Sequence, residues 1–339
     1  MALVRSGFIA IPPGPRPGFD HAGLYADGAG ARRLYVAHTG ADRVDVLDCA
    51  AGTYLRALPG HPGVAGVLTD SAEDLLFTSD RAAARVSIYR CSGEKLLGRV
   101  EVGAHPNGLA FDPVRGRLFS FNLGQPLGEN CTASVIDLAR QQVIATIALP
   151  GRRWAVYDTP ADQVFVNIRD PAQILAISAA YLMAGRVIGV PADGPHGLWV
   201  HGGRLFCAAD GNALVVLHRD TGAVETVVPL PGAPDVVMHD PQLRHLYIGI
   251  GEPGSCAWWT PNACSSCRPC RPRQKPTPSQ SSRKATLCMC SCRQARAQPC
   301  TRTADKPGRG RPGPQVTPAV DVTWVSSAEE CHAGRTSRY

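Results

Sequence analysis

HPNGLAFDPVRGRLFSFN, residues 105–122, decides the fold. An apolar run through Leu109-Ala110-Phe111 ends at Asp112, a turn follows over Pro113 to Gly116, and a second run resumes at Leu118-Phe119. Such a stretch reads as two strands joined by a tight hairpin. The Asp side chain bonds the turn backbone, and Gly lacks the Cβ that opposes turn dihedrals.

Working outward, the aliphatic–aromatic pair returns as Leu34-Tyr35, Leu76-Phe77, Val164-Phe165, Leu205-Phe206 and Leu246-Tyr247. The spacings along the chain are 42, 42, 46, 41 and 41 residues. Asp70, Asp112, Asp158 and Asp240 stand six residues before their pairs, and Asp27 stands seven before the first. A short run rich in β-branched residues follows each pair, as in VDVLD from Val44 and ASVID from Ala133. A fourth apolar segment closes each unit, as in QQVIATIALP from Gln141. One such sheet cannot bury its own faces, so the units must stack around a common axis. Four short strands per unit of about 40–45 residues describe a β-propeller blade. A β-sandwich with irregular strands is the alternative, and the tight period speaks against it.

HPNGLAFDPVRGRLFSFN, RLYVAHTGADRVDVLD from Arg33 and GAPDVVMHDPQLRHLYIG from Gly232 resemble the YVTN-type β-propeller repeat family, which is WD-like in architecture and includes lactonase-like propellers. The resemblance spans residues 8 to about 254. It implies a fold more firmly than a function, because such propellers range from surface-layer proteins to lactonases, streptogramin-type lyases and redox subunits. Five units are complete. The sixth reads as its inner strand and second strand and then stops after Ile250. GFIAIPP, residues 7–13, reads as an outermost strand without a blade of its own, the arrangement that closes a propeller ring. The expected fold is therefore all-β: a propeller seven-bladed by design, with about five and a half blades present and an irregular tail.

The chain divides chemically near residue 254. Residues 1–254 carry 21 Lys+Arg against 24 Asp+Glu, while residues 255–339 carry 14 against 4 and hold 9 of the 13 cysteines. The basic balance of the whole chain thus belongs to the tail, and a specific nucleic-acid partner is not expected from it. The tail is expected to be a disordered Cys/Arg/Pro-rich segment produced by out-of-frame translation. Trp258-Trp259-Thr260 can only be TGG-TGG-ACN, so the frame that starts on each codon's last base reads Val-Asp there. It is preceded by Val, Leu or Met, and such an ending closes the third strands elsewhere. The same shift permits an aliphatic residue and Tyr at 288–289, 42 residues after Leu246. The alternative is a genuine metal module, since Cys264, Cys267 and Cys270 with Cys288, Cys290 and Cys292 have zinc-ligand spacing.

Propeller sites sit where inner strands start. Aligning those starts places Asn107, Arg153, His196 and Asp235 at one position, with Ala65 in blade two and Gly23 in blade one. Asn, His and Asp suit a hard cation such as calcium or magnesium, or a polarised carbonyl with His196 as general base. Arg153 favours an anionic ligand, which a guanidinium grips as a fork. His105-Pro106-Asn107-Gly108 and Pro195-His196-Gly197 resemble the loops leading into lactonase-like and lyase-like sites. His38, His201, His218, His239 and His245 are expected at the surface or in turns. GxSxG, Walker and HExxH motifs are absent. Cys49, Cys91, Cys131 and Cys207 fall in four blades and are expected to be reduced packing residues. There is neither an apolar run of 18 residues nor a basic, then apolar, start, so a cytoplasmic protein without membrane span is expected.

The sequence is thus expected to encode a noncatalytic binding or scaffold propeller, monomeric and without cofactor. Its partner is a protein or small molecule at the channel mouth. The alternative is a metal-assisted lactonase or lyase using a divalent cation.

Overall fold

The computed structural model describes residues 3–151, 154–240, 244–251, 255–259, 268–269, 288–290 and 320–327. Six four-stranded antiparallel blades stand in a ring, each built from consecutive strands, so the molecule is a β-propeller. They span residues 22–59, 64–101, 106–148, 155–189, 195–229 and 234–269. Neighbouring inner strands pack against one another from blade one through blade six.

The aromatic member of each pair shows why the repeat folds this way. Tyr35, Phe77, Phe119, Phe165 and Phe206 are fully buried. Each stands in the second strand of its blade, wedged toward a neighbouring sheet. Phe77, for example, packs with Leu109, Phe111 and Leu118 of blade three. The Asp before the pair closes the hairpin as expected. Asp112 Oδ1 accepts from the backbone N–H of Val114 at 2.9 Å, and Asp70 Oδ1 accepts from Ala72 and Glu73.

Blade one buries both faces. Leu34 and Val36 point one way and Tyr35 and Ala37 the other, following the two-residue period of a strand. Tyr35 and Ala37 meet Val64, Val67 and Tyr89 of blade two. Leu34 and Val36 meet Ile9 and Ile11 of the strand Leu3–Ile11. That strand pairs antiparallel with Val320–Ser327, which pairs in parallel with Cys288–Cys290, making a three-stranded sheet. The N-terminal segment therefore covers blade one as a neighbouring blade would.

Two expectations about chain organisation change. The sixth unit does not stop at Ile250: Ser255–Trp259 adds a third strand in register from Ile250 to Leu246, and Arg268–Pro269 adds a short fourth. Cys256 and Ala257 supply the small buried side chains that let this strand pack. His38, expected at the surface, is buried with its Nδ1 2.7 Å from Asp45, a carboxylate that Arg43 also engages. Of the proposed zinc ligands, Cys264, Cys267, Cys270 and Cys292 lie outside the described residues, and Cys288 and Cys290 are described as backbone only. Among the described residues no helix is long and apolar enough to cross a membrane.

Candidate functional site

The hairpin registers give each inner strand a common coordinate. The aliphatic member of the pair faces Leu24, Thr69, Phe111, Tyr157, Val200 and His239 in blades one to six. Four residues back from these stand Asp20, Ala65, Asn107, Arg153, His196 and Asp235. Asn107, His196 and Asp235 thus share the expected position. Blade one contributes Asp20 rather than Gly23; its inner strand lacks the Pro or Gly that flanks this position in blades two, three, five and six, so the sequence alignment slips by three. Arg153 lies outside the described residues.

Backbone irregularity aims these side chains. The inner-strand register shifts between Val64 and Val67, Pro106 and Leu109, Pro195 and Gly197, and Pro234 and Val237. A bulge inserts an unpaired residue and turns its side chain out of the pleat. The preceding blade then fixes the bulged backbone. Ser79 Oγ donates to the Asn107 carbonyl at 2.7 Å, and Asn167 Nδ2 donates to the His196 carbonyl at 2.8 Å. Ser79 and Asn167 occupy the same repeat position, three residues after Leu76 and Val164. Close approach requires glycine: a Cβ on Gly66 would lie 2.1 Å from the Asn107 carbonyl oxygen, and one on Gly197 would lie 2.6 Å from that of Asp235.

Two polar groups result. In the first, Arg81 reaches from the turn Arg81–Ala83 of blade two. Its Nη2 donates to Asp20 Oδ2 of blade one at 3.0 Å and to Asn107 Oδ1 of blade three at 2.6 Å. In the second, His196 stands between two carboxylates. Its Nδ1 lies 2.8 Å from Asp210 Oδ1 and its Nε2 lies 3.3 Å from Asp235 Oδ1. Asp210 also pairs with Arg169 at 3.2 Å. Asp235 is the open end of this chain, with 63% of its side chain exposed against 23% for His196.

His21 joins the groups. Its Nε2 lies 3.4 Å from Asp20, and its ring stands 4.2 Å from the indole of Trp154. Burial holds its imidazole below the ordinary histidine value; Asp20 and Asp235 pull it back up, and Arg81 and His196 push it further down. His21 is therefore neutral at neutral pH while feeling charges from four blades. Beside His196 a cleft of about 460 Å³ opens between blades four and five, lined by Arg169, Asp170, Asp193 and Asp210.

Sequence reasoning missed Asp20, His21, Arg81, Trp154 and Asp210. Trp154 and His21 share the next repeat position, where blades two, three and five carry Gly66, Gly108 and Gly197; two bulky residues at a glycine position were the available signal. Arg81 and Asp210 both stand five residues after the aliphatic member of their pairs, in the turn between second and third strands; with Arg169 at the same offset, that spacing was the available signal.

No family model matches the sequence, and no curated protein is similar to it at a significant level. Among solved structures, hydrazine synthase from Kuenenia stuttgartiensis superposes with a TM-score of 0.60 at 13% identity, over 73% of this chain and 78% of that one. A functionally unknown protein from Desulfotomaculum acetoxidans DSM 771 superposes with a TM-score of 0.57 at 10% identity, over 65% of this chain and 72% of that one. At these identities the likeness is one of fold.

Proposed function

We propose that the chain is a noncatalytic binding propeller of the YVTN repeat type that takes a small ligand at the channel mouth. One observation carries this reading: equivalent positions of separate blades, four residues before the one facing the pair, bring Asp20, Asn107, His196 and Asp235 to one end of the ring. Neighbouring blades anchor the backbones of Asn107 and His196. Polar side chains held by neighbouring scaffold, with one exposed charged end, are what a binding site needs. Titration calorimetry with Asp235→Asn and His196→Asn tests it: both variants should lose ligand binding while melting close to the wild-type temperature.

The second reading is a lactonase or lyase, favoured by the Asp210–His196 pair. Asp210 orients the ring through Nδ1, and Nε2, which faces Asp235 at 3.3 Å, would act as general base once a substrate takes that carboxylate's place. A divalent cation suits this arrangement poorly. Asp20 and Asn107 turn their oxygens to Arg81, and among the described residues no three ligating side chains converge. Metal analysis of the purified protein, with activity measured after chelation, separates the readings.

For the end of the chain we propose out-of-frame translation from about residue 255. Ser255–Trp259 stands where a third strand belongs, and the shifted frame writes a third-strand ending across Trp258-Trp259. Resequencing the codons from Glu252 to Trp258 tests it directly.

A further inference from the structure

We propose that the outer strand of blade three, Gln142–Ala148, is a self-pairing edge through which two copies of this chain join as a two-fold dimer. It is the last strand of its sheet, and among the described residues nothing bonds the backbone groups along its open side. Such a row of N–H and C=O groups is a template for another strand, and soluble proteins blunt it with charge, proline or a bulge. Arg56, Arg99, Arg186 and Glu225 stand in the outer strands of blades one, two, four and five. Blade three instead carries QVIATIA, which among these five strands is the one with neither charge, proline nor glycine. Its first half is guarded in another way. A bulge leaves Ile144 unpaired, as one does in other blades, and Gln141 just before the strand donates to the Leu97 carbonyl of blade two at 3.3 Å. Its second half, Ala145–Ala148, runs in unbroken register with the third strand of the blade. Antiparallel pairing with a second copy sets Ala145 against Ala148 and Thr146 against Ile147, so no charge meets a charge.

A loop beside this edge points to a copy of the same chain as the occupant. The turn before the third strand of blade three, residues 123–131, is nine residues long, whereas its counterparts 39–42, 81–84, 169–172 and 210–212 have three or four. The longer turn is braced from within: the N–H of Gly128 donates to the Leu123 carbonyl at 2.8 Å, and that of Glu129 to the Pro126 carbonyl at 2.9 Å. Leu127 stands 57% exposed on it. The loop's end is tied to the end of the edge strand, since the Leu149 N–H donates to the Cys131 carbonyl at 2.9 Å. In a two-fold pairing the end of one strand lies against the start of the other. That sets the loop of each copy beside Val143 and Ile144 of the second copy, two apolar residues that are exposed in a single chain. Apolar surface at both ends of one uncharged edge is thus covered when the edge meets itself.

Sedimentation velocity of the full-length protein, run from about 1 to about 500 µM, tests the pairing across the range in which a small interface dissociates. The weight-average coefficient should rise with concentration toward that of a dimer. Thr146→Lys places a charge at the exposed centre of the edge and should raise the dissociation constant about tenfold or more. Leu127→Asp should raise it too. Val227→Lys puts the same charge at the equivalent position of blade five and should leave association unchanged. Circular dichroism melts report whether each variant is folded. A wild-type protein that stays monomeric at every concentration overturns the proposal, even if it takes up a synthetic peptide of residues 142–149, which would give the edge to a strand from another protein. A dimer that Thr146→Lys leaves intact overturns it as well.

Discussion

His21 and Trp154 belong to blades three positions apart, yet their rings stand 4.2 Å from one another, inclined by 40°. They occupy the same repeat coordinate, one residue past the mouth ring. Blades two, three and five carry glycine there, and at Gly66 and Gly197 the next blade's carbonyl comes too close for a Cβ. The two rings therefore meet across the ring of blades, from blade one to blade four.

Removing the indole should uncover the His21 imidazole. Trp154→Ala is expected to speed chemical modification of the His21 imidazole, read by mass spectrometry of the labelled peptide. Half-buried, the indole should cost about 2 kcal/mol in urea unfolding, below the range for a fully buried Trp. Unchanged modification of His21 would show that something other than the indole shields it.

The mouth and the blade interior should separate in stability. Asp80 is fully buried, and His61, Arg85, Thr78 and Ser87 all bond its carboxylate. Burial pushes its pKa up, but those hydrogen bonds win and hold it below the usual carboxylate value. Asp80→Asn should cost about 2–4 kcal/mol, because it breaks a buried network and strands its donors. Asp235→Asn, on an exposed side chain, should stay within about 0.5 kcal/mol. Equal urea midpoints for the two variants would contradict this division.

Much of the fold and half of the site could be read before any coordinates. The pair Leu-Phe or Leu-Tyr marks the buried second strand because its aromatic must fill the space between sheets, and that need recurs in every blade. Asn107 and Asp235 were legible because each stands eleven residues before its pair; His196 stands nine before, and was found by the Pro-X-Gly opening it shares with Asn107. Asp20 was lost where the inner strand of blade one lacks its Pro and Gly markers. Arg81 and Asp210 share one offset, five residues after the pair, but spacing does not say that this turn reaches a neighbouring blade's inner strand; that contact depends on ring closure. His38 was misjudged because a buried histidine and a surface one look alike until Asp45 is seen beside it.

Acid should weaken the protein in two separate windows. His21, His239 and His245 are each held below the ordinary histidine value, first of all by burial. The unfolded chain protonates these rings near pH 6.5, whereas the folded chain does not. Their contribution is present above that pH and is lost as pH falls below it, because the unfolded state then binds more protons. Asp80 has the opposite chemistry and a lower window. Its contribution is present above about pH 3.9 and is lost as pH falls through its depressed folded value. His21→Asn should flatten the upper limb of a stability–pH curve and leave the lower limb alone. An unchanged upper limb would assign it to His239 and His245.

The strand Leu3–Ile11 should hold blade one in solution. Ile9 and Ile11 are buried against Leu34, Val36, Leu47 and Cys49, while Ala10 between them points outward. Ile11→Ala should therefore cost about 2–4 kcal/mol, the range for a buried Ile cut to Ala. Ala10→Ser should stay within about 0.5 kcal/mol, as surface changes do. Deleting residues 3–11 removes the whole cover and bares an apolar sheet face, the kind of surface that drives self-association. The truncated protein should elute from size exclusion as aggregate while its far-UV spectrum keeps a β signature, since the six blades do not use this strand for their own pairing. A monomeric truncation with the wild-type urea midpoint would mean that blade one stands without the N-terminal strand.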